Sequence, residues 1–131
     1  LANFEKCISM RPNHATYYLR RGVMFTDVMG RYEEGIRDFR KVLELKPNHM
    51  DAGINTGVAL YKSGRNQEAI KQYNNMLEAF PDQGRVYFLR ALAYAASNQF
   101  KLAYQDSQVA MSRGINMDQT LVQGWKQSAG L

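Results

Sequence analysis

Between Glu68 and Phe80 apolar residues recur at Ala69, Ile70, Tyr73, Met76, Leu77 and Phe80. Steps of three and four put those side chains on one face of a helix. Just upstream, Ala52, Val58, Ala59 and Leu60 mark another helical stretch, broken at Ser63-Gly64-Arg65. The same pattern along the whole chain predicts helices over 1–11, 14–28, 31–45, 48–62, 66–79, 83–96, 100–113 and 118–128. The breaks at Gly30, Gly64 and Asn98 suit a left-handed terminal residue, which glycine adopts freely and asparagine tolerates. Asn13, Asn48 and Asp82 each follow a proline and are expected to N-cap the next helix.

The pattern is periodic. Pro12, Pro47 and Pro81 are 35 and 34 residues apart. In the same register Gly22, Gly57 and Ala91 align, as do Gly35, Ala69 and Ala103, and Phe4 and Cys7 lie 35 before Phe39 and Val42. Phe25 and Leu60 are 35 apart but Gly30 and Gly64 are 34 apart, so one extra residue falls within Thr26 to Met29. A period of this length means helical hairpins, each too small to bury its own apolar face, stacked into a solenoid. Small residues at matched heights let two antiparallel helices approach, while Phe39 and Tyr73 fill the space beside them. The expected division is 1–12 as the second helix of a truncated repeat, 13–47, 48–81 and 82–115 as three repeats, and 116–131 as a capping helix.

Gly57-Val58-Ala59-Leu60, Gly64, Glu68-Ala69-Ile70, Tyr73 and Pro81 form one set of small, large and turn positions. Arg31-Tyr32-Glu33-Glu34-Gly35-Ile36, Phe39, Lys41-Val42-Leu43-Glu44-Leu45 and Pro47 form another. Over roughly residues 1 to 117 the chain resembles the tetratricopeptide repeat family. The resemblance implies an all-α, right-handed solenoid of antiparallel helix pairs. It departs from the pattern at Gly53, where Tyr18 and Tyr87 supply a bulky anchor, at Ile115 in place of proline, and at Ser107 in place of an aromatic.

The resemblance also implies a concave groove, lined by the first helix of each repeat, that receives a peptide or partner helix. The inward positions would be Thr16, Leu19, Arg20, Val23 and Asp27, then Asp51, Ile54, Asn55, Val58, Tyr61 and Lys62, then Arg85, Phe88, Leu89 and Leu92. Arg20, Asn55 and Arg85 would orient the ligand among apolar walls. One subclass of the family holds an acidic C-terminus with two lysines, two asparagines and an arginine. Here Asn55 fits one place and Arg85 stands for one lysine, while Leu19, Val23 and Leu89 fill the others. An asparagine ladder, used by another subclass, is represented by Asn55 alone.

Composition narrows the function. The net charge is +5, from 17 basic and 12 acidic residues. The densest basic cluster, Arg20-Arg21, Arg37, Arg40-Lys41 and Lys46, is interspersed with Glu33, Glu34, Asp38 and Glu44, the pattern of solvated helix faces. A nucleic-acid partner is not expected. One cysteine forms no disulfide framework or zinc quartet and fits a reducing, cytoplasmic setting. Cys7 shares a column with Val42 and Ala110 and reads as a packed thiol. His14 and His49 recur through duplication. No phosphate loop, Ser/His/Asp set or carboxylate pair appears, so neither catalysis nor a cofactor nor a metal site is expected. No stretch reaches the ~20 apolar residues of a membrane span, and no secretory leader is visible.

At the C-terminal end, Leu121, Val122 and Trp125 are expected to cover the last repeat. At the other end Leu1, Phe4 and Ile8 form an apolar face without an upstream partner, which predicts self-association through the N-terminal helix. The chain begins at Leu1, inside a repeat, and reads as part of a larger protein. The expected function is a protein-interaction scaffold with a protein or peptide ligand. Two other readings stand beside it: an accessory segment that positions the substrate of a larger enzyme, and a nucleic-acid-binding helical repeat.

Overall fold

The computed structural model describes residues 2–131. They form α1 (Ala2–Met10), α2 (Ala15–Val23), a π turn (Met24–Val28) that continues α2, α3 (Tyr32–Leu45), α4 (Met50–Lys62), α5 (Asn66–Ala79), α6 (Gly84–Ala96), α7 (Phe100–Ser112) and α8 (Gln119–Ser128). No strand occurs among the described residues. Among the described residues the predicted helices are all present, with ends within two residues of those expected when the π turn is counted with α2.

Turn chemistry explains where the helices stop. Gly30, Gly64 and Asn98 have φ of 66°, 84° and 61°, the left-handed conformation expected at those breaks. The N-caps are different residues from those expected. His14, His49 and Gln83 cap α2, α4 and α6, one position beyond Asn13, Asn48 and Asp82. The turn after each proline closes through a backbone bond, His49 N–H to the Lys46 carbonyl for example, which delays helix entry by one residue. At α4 the His49 Nδ1 accepts the Ala52 N–H at 3.2 Å, so an imidazole satisfies the orphan amide instead of an asparagine side chain.

Two compact units divide at Gly64/Arg65. In the first, α2 packs on α3, α3 on α4, and α1 on α2. Its core gathers Ala15, Tyr18, Val42 and Ala52, with Ile8, Leu19, Leu43 and Leu45 against them. Gly22 is needed where α2 meets α3, because a Cβ there would stand 2.6 Å from Phe39 Cε1. The extra residue inferred from the repeat spacing is absorbed by the π turn, whose Met29 N–H reaches the Met24 carbonyl at 3.1 Å. A π turn takes up one residue without breaking the helix. It leaves Val28 exposed and Phe25 buried.

In the second unit α6 packs on α5 and α7, and α8 on α7. The core contains Ala91, Ala103, Ala110, Met117, Val122 and Trp125. Val122 and Trp125 cover this core as expected, but Leu121 is 41% exposed and does not. Leu121 is turned about 100° from Val122 around the helix, onto the solvent side of α8. Ser107, at an aromatic column, is fully buried and donates its hydroxyl to the Tyr104 carbonyl. The tyrosine anchors also close hydrogen bonds: Tyr18 Oη donates to the Pro12 carbonyl at 2.7 Å and Tyr87 Oη to the Pro81 carbonyl at 3.2 Å.

The apolar face of α1 holds no buried residue, with Phe4, Cys7 and Ile8 half-buried. The Leu1 position assigned to that face lies outside the described residues.

Candidate functional site

In the first unit the expected groove positions fall on two helical stripes. On α2 and the π turn, Thr16, Arg20 and Asp27 are exposed, and Leu19 and Val23 half-buried. On α4, Asp51 and Lys62 are exposed, and Asn55, Val58 and Tyr61 half-buried. Steps of three and four keep each set on one side of its helix. The stripes meet where Lys62 Nζ lies 4.0 Å from Asp27 Oδ1. Ile54 does not belong to the stripe: it is 2% exposed and serves the core. Leu19 has a divided role, since part of it packs against Tyr18, Val42 and Ala52.

The second unit carries its own stripe on α6. Arg85 is exposed, and Phe88, Leu89 and Leu92 are half-buried. Phe88 and Leu92 lean on the Ala91–Trp125 core, which leaves Leu89 and Arg85 as the freer members. Among the described residues the side chains of Arg20, Asn55 and Arg85 make no hydrogen bond or ion pair. Each stripe thus alternates half-buried apolar surface with a polar group that has donors to spare.

Sequence reading missed a second polar feature. Arg21 donates from Nε and Nη2 to both oxygens of Asp38, each at 2.8 Å. Arg90 does the same to Asp106 at 2.7 and 2.8 Å. The carboxylates are only 6% and 8% exposed. The hydrogen bond to its aspartate holds each guanidinium above the ordinary arginine pKa, against the opposing effect of burial. The rings of Tyr87 and Tyr94 stand 5.4 and 5.5 Å from the Arg90 guanidinium carbon, and those of Tyr18 and Phe25 lie 5.9 and 5.7 Å from that of Arg21. The sequence did hold a signal: Arg21 and Arg90 share one repeat column, and Asp38 and Asp106 another.

Cys7 is half-buried in α1. His14 stacks on Tyr17 with centroids 4.4 Å apart. No three His, Cys, Asp or Glu side chains cluster as a metal set among the described residues. No described helix is long and apolar enough to cross a membrane.

Comparison with known proteins agrees with this geometry. A family profile described as tetratricopeptide repeat matches residues 27–83 and 54–108, more than half of the chain. Small glutamine-rich tetratricopeptide repeat-containing protein 2 of Mycosarcoma maydis is 31% identical over 78 residues, covering 60% of this chain and 22% of that protein. The chain therefore spans well under half of that relative. Among solved structures, MamA from Desulfovibrio magneticus RS-1 superimposes with a TM-score of 0.75 at 25% identity, covering 84% of this chain and 62% of that one. The first TPR of Spaghetti (RPAP3), bound to an HSP90 peptide, has a TM-score of 0.81 at 17% identity, covering 89% of this chain and 94% of that one. On the profile match, with helices, turns and small-residue columns all in register, the chain belongs to the tetratricopeptide repeat family.

Proposed function

We propose that this chain is a non-enzymatic interaction scaffold within a larger protein, and that the α2 and α4 stripes of the first unit and the α6 stripe of the second each offer a surface to a peptide segment or partner helix. One observation carries the reading: Arg20, Asn55 and Arg85 stand without internal partners beside half-buried Leu19, Val23, Val58, Phe88 and Leu89. A peptide backbone supplies the acceptors and donors these polar groups lack, and its side chains cover the apolar surface. Asp51, Tyr61 and Lys62 extend the same face along α4. A fold neighbour solved with an HSP90 peptide supports the view that this architecture accommodates such a ligand. In this reading 13–47, 48–81 and 82–115 are the three repeats, 1–12 the second helix of another and 116–131 the cap.

A protein ligand is favoured over nucleic acid by charge pairing. Arg21, Arg31, Lys41, Lys62, Arg65, Arg90 and Arg113 each have a carboxylate oxygen within 4.0 Å. Those seven cations are already countered by carboxylates, which reduces the positive charge available to a phosphate backbone. The open side of α1, where nothing is buried, also supports association of two copies through that helix.

A peptide array probed with the wild-type chain and with Arg20→Ala, Asn55→Ala and Arg85→Ala tests the site. Loss of positive peptides in the variants is the expected result. Retention of every positive peptide by all three would reject the assignment.

A further inference from the structure

The two units carry the same arginine fork in different surroundings. In the second unit, Arg90 uses Nε and Nη2 on Asp106, and its remaining Nη1 donates to Asn74 Oδ1 of α5 at 2.9 Å. In the first unit, Arg21 uses Nε and Nη2 on Asp38, but its Nη1 has no acceptor among the described residues. The residue of α1 in the column of Asn74 is Glu5, which is exposed and acts on Arg21 through charge alone. Between them lies a cleft of about 260 Å³, lined by Glu5 of α1, Arg21 and Phe25 of α2, and Glu34, Arg37 and Asp38 of α3.

Much of its polar lining is already engaged. Asp38 is held by Arg21, and Glu34 by the guanidinium of Arg31. What remains open is Arg21 Nη1, the exposed Arg37 and the Glu5 carboxylate. The volume falls below the ~300 Å³ at which small-molecule pockets usually begin, and suits one side chain. We propose that this cleft is a second binding site, distinct from the stripe of Arg20 and Val23, which takes the primary amide of a glutamine or asparagine side chain from a partner polypeptide.

The chemistry selects the amide. Its oxygen accepts from Arg21 Nη1, as Asn74 Oδ1 accepts from Arg90, and its NH₂ donates to Glu5. A carboxylate in the same place meets Glu5 with like charge and has no donor. A lysine or arginine meets Arg21 and Arg37 with like charge and has no acceptor. The bidentate Asp38 pair fixes the plane of the guanidinium, so the open N–H is oriented before the ligand arrives. Arg20, one position earlier on α2, points about 100° away and belongs to the other face.

The test is an NMR titration of the whole chain with acetylated, amidated tripeptides Ala-Gln-Ala, Ala-Glu-Ala, Ala-Lys-Ala and Ala-Ala-Ala, reading the Nε–H signals of Arg21 and Arg90. The glutamine peptide is expected to shift the Arg21 signal saturably, with a Kd lower by at least about threefold than any of the others. Glu5→Asn places in α1 the amide that Asn74 supplies in α5, and is expected to abolish the shift by filling the cleft from within. Asn74→Ala opens the equivalent position, and the Arg90 signal then responds to the same peptide. An unsaturable or absent Arg21 shift, equal or tighter binding of the glutamate or lysine peptide, or unchanged binding in Glu5→Asn would each overturn the proposal. None of these readouts involves Arg20, Asn55 or Arg85, so the result is independent of the proposed peptide face.

Discussion

Arg21 and Asp38 join α2 to α3 by two parallel hydrogen bonds of 2.8 Å, and Arg90 and Asp106 join α6 to α7 in the same way. Thr56 and Gln72 occupy those columns in the intervening segment, where Thr56 donates its hydroxyl to the Ala52 carbonyl instead. Removing one partner of a part-buried pair strands the other, so Asp38→Ala and Asp106→Ala should each cost about 2 kcal/mol, below the range for fully buried pairs because the arginines keep some solvent contact. Replacing both partners, as in Arg90→Leu with Asp106→Leu, should cost less than the two single changes together. Urea unfolding of the wild type, Arg90→Leu, Asp106→Leu and the double variant measures this. Each arginine pKa is raised on folding, so the stability linked to arginine ionisation is fully present below the ordinary arginine range and is lost as pH rises through the folded value. Between roughly pH 7 and 10, arginine titration should therefore change stability little.

Gly35 faces the backbone of α2. A Cβ added there would meet the Gly22 carbonyl oxygen at 3.0 Å and collide with the Thr26 methyl. Ala69 and Ala103 tolerate a methyl at that column and are fully buried. Gly35→Ala is accordingly expected to destabilise the first unit by about 1–3 kcal/mol, because a backbone atom cannot move aside as a side chain can. Thermal denaturation would show no loss if the two helices simply separate to admit the methyl.

His49 caps α4 by accepting from the Ala52 N–H. His49→Ala should cost about 1 kcal/mol, while His49→Asn, which retains an acceptor, should cost much less. Equal stability of the two variants would show that the imidazole bond does not hold the helix end.

The π turn stores one residue, and Val28, 77% exposed, is its least engaged member. Deleting Val28 should convert the turn to regular α-helix and bring the first repeat to the shorter spacing, with helicity preserved and stability changed by no more than about 1 kcal/mol. Circular dichroism showing collapse of the fold would mean that the turn is required.

Trp125 is 5% exposed in the second-unit core. As the only tryptophan in the chain, it reports directly on the seating of α8. Trp125→Phe should cost less than Trp125→Ala, for which about 3–5 kcal/mol is expected. The same side chain should show buried-type fluorescence until the second unit unfolds.

The primary structure alone determined the helices, their breaks and the extra residue near Met29. Each of these follows from local rules: a helical apolar period, a left-handed glycine or asparagine, a proline beat. The small columns were legible for the same reason, since duplication writes them several times. The helix sides carrying Arg20, Asn55 and Arg85 could each be named from helical phase, which places a residue on a side but does not say what lies opposite. Tertiary structure decided the partnerships. That Arg21 faces Asp38 while its neighbour Arg20 stays free depends on two helices meeting at a particular rotation, and charge patterns along the chain do not contain that angle. Folding likewise chose His49 over Asn48 as a cap, turned Leu121 outward beside buried Val122, and left Glu5 short of the bond that Asn74 makes. For Arg20 and Leu121 a one-residue step of about 100° around a helix separates contact from solvent, and only packing sets that phase.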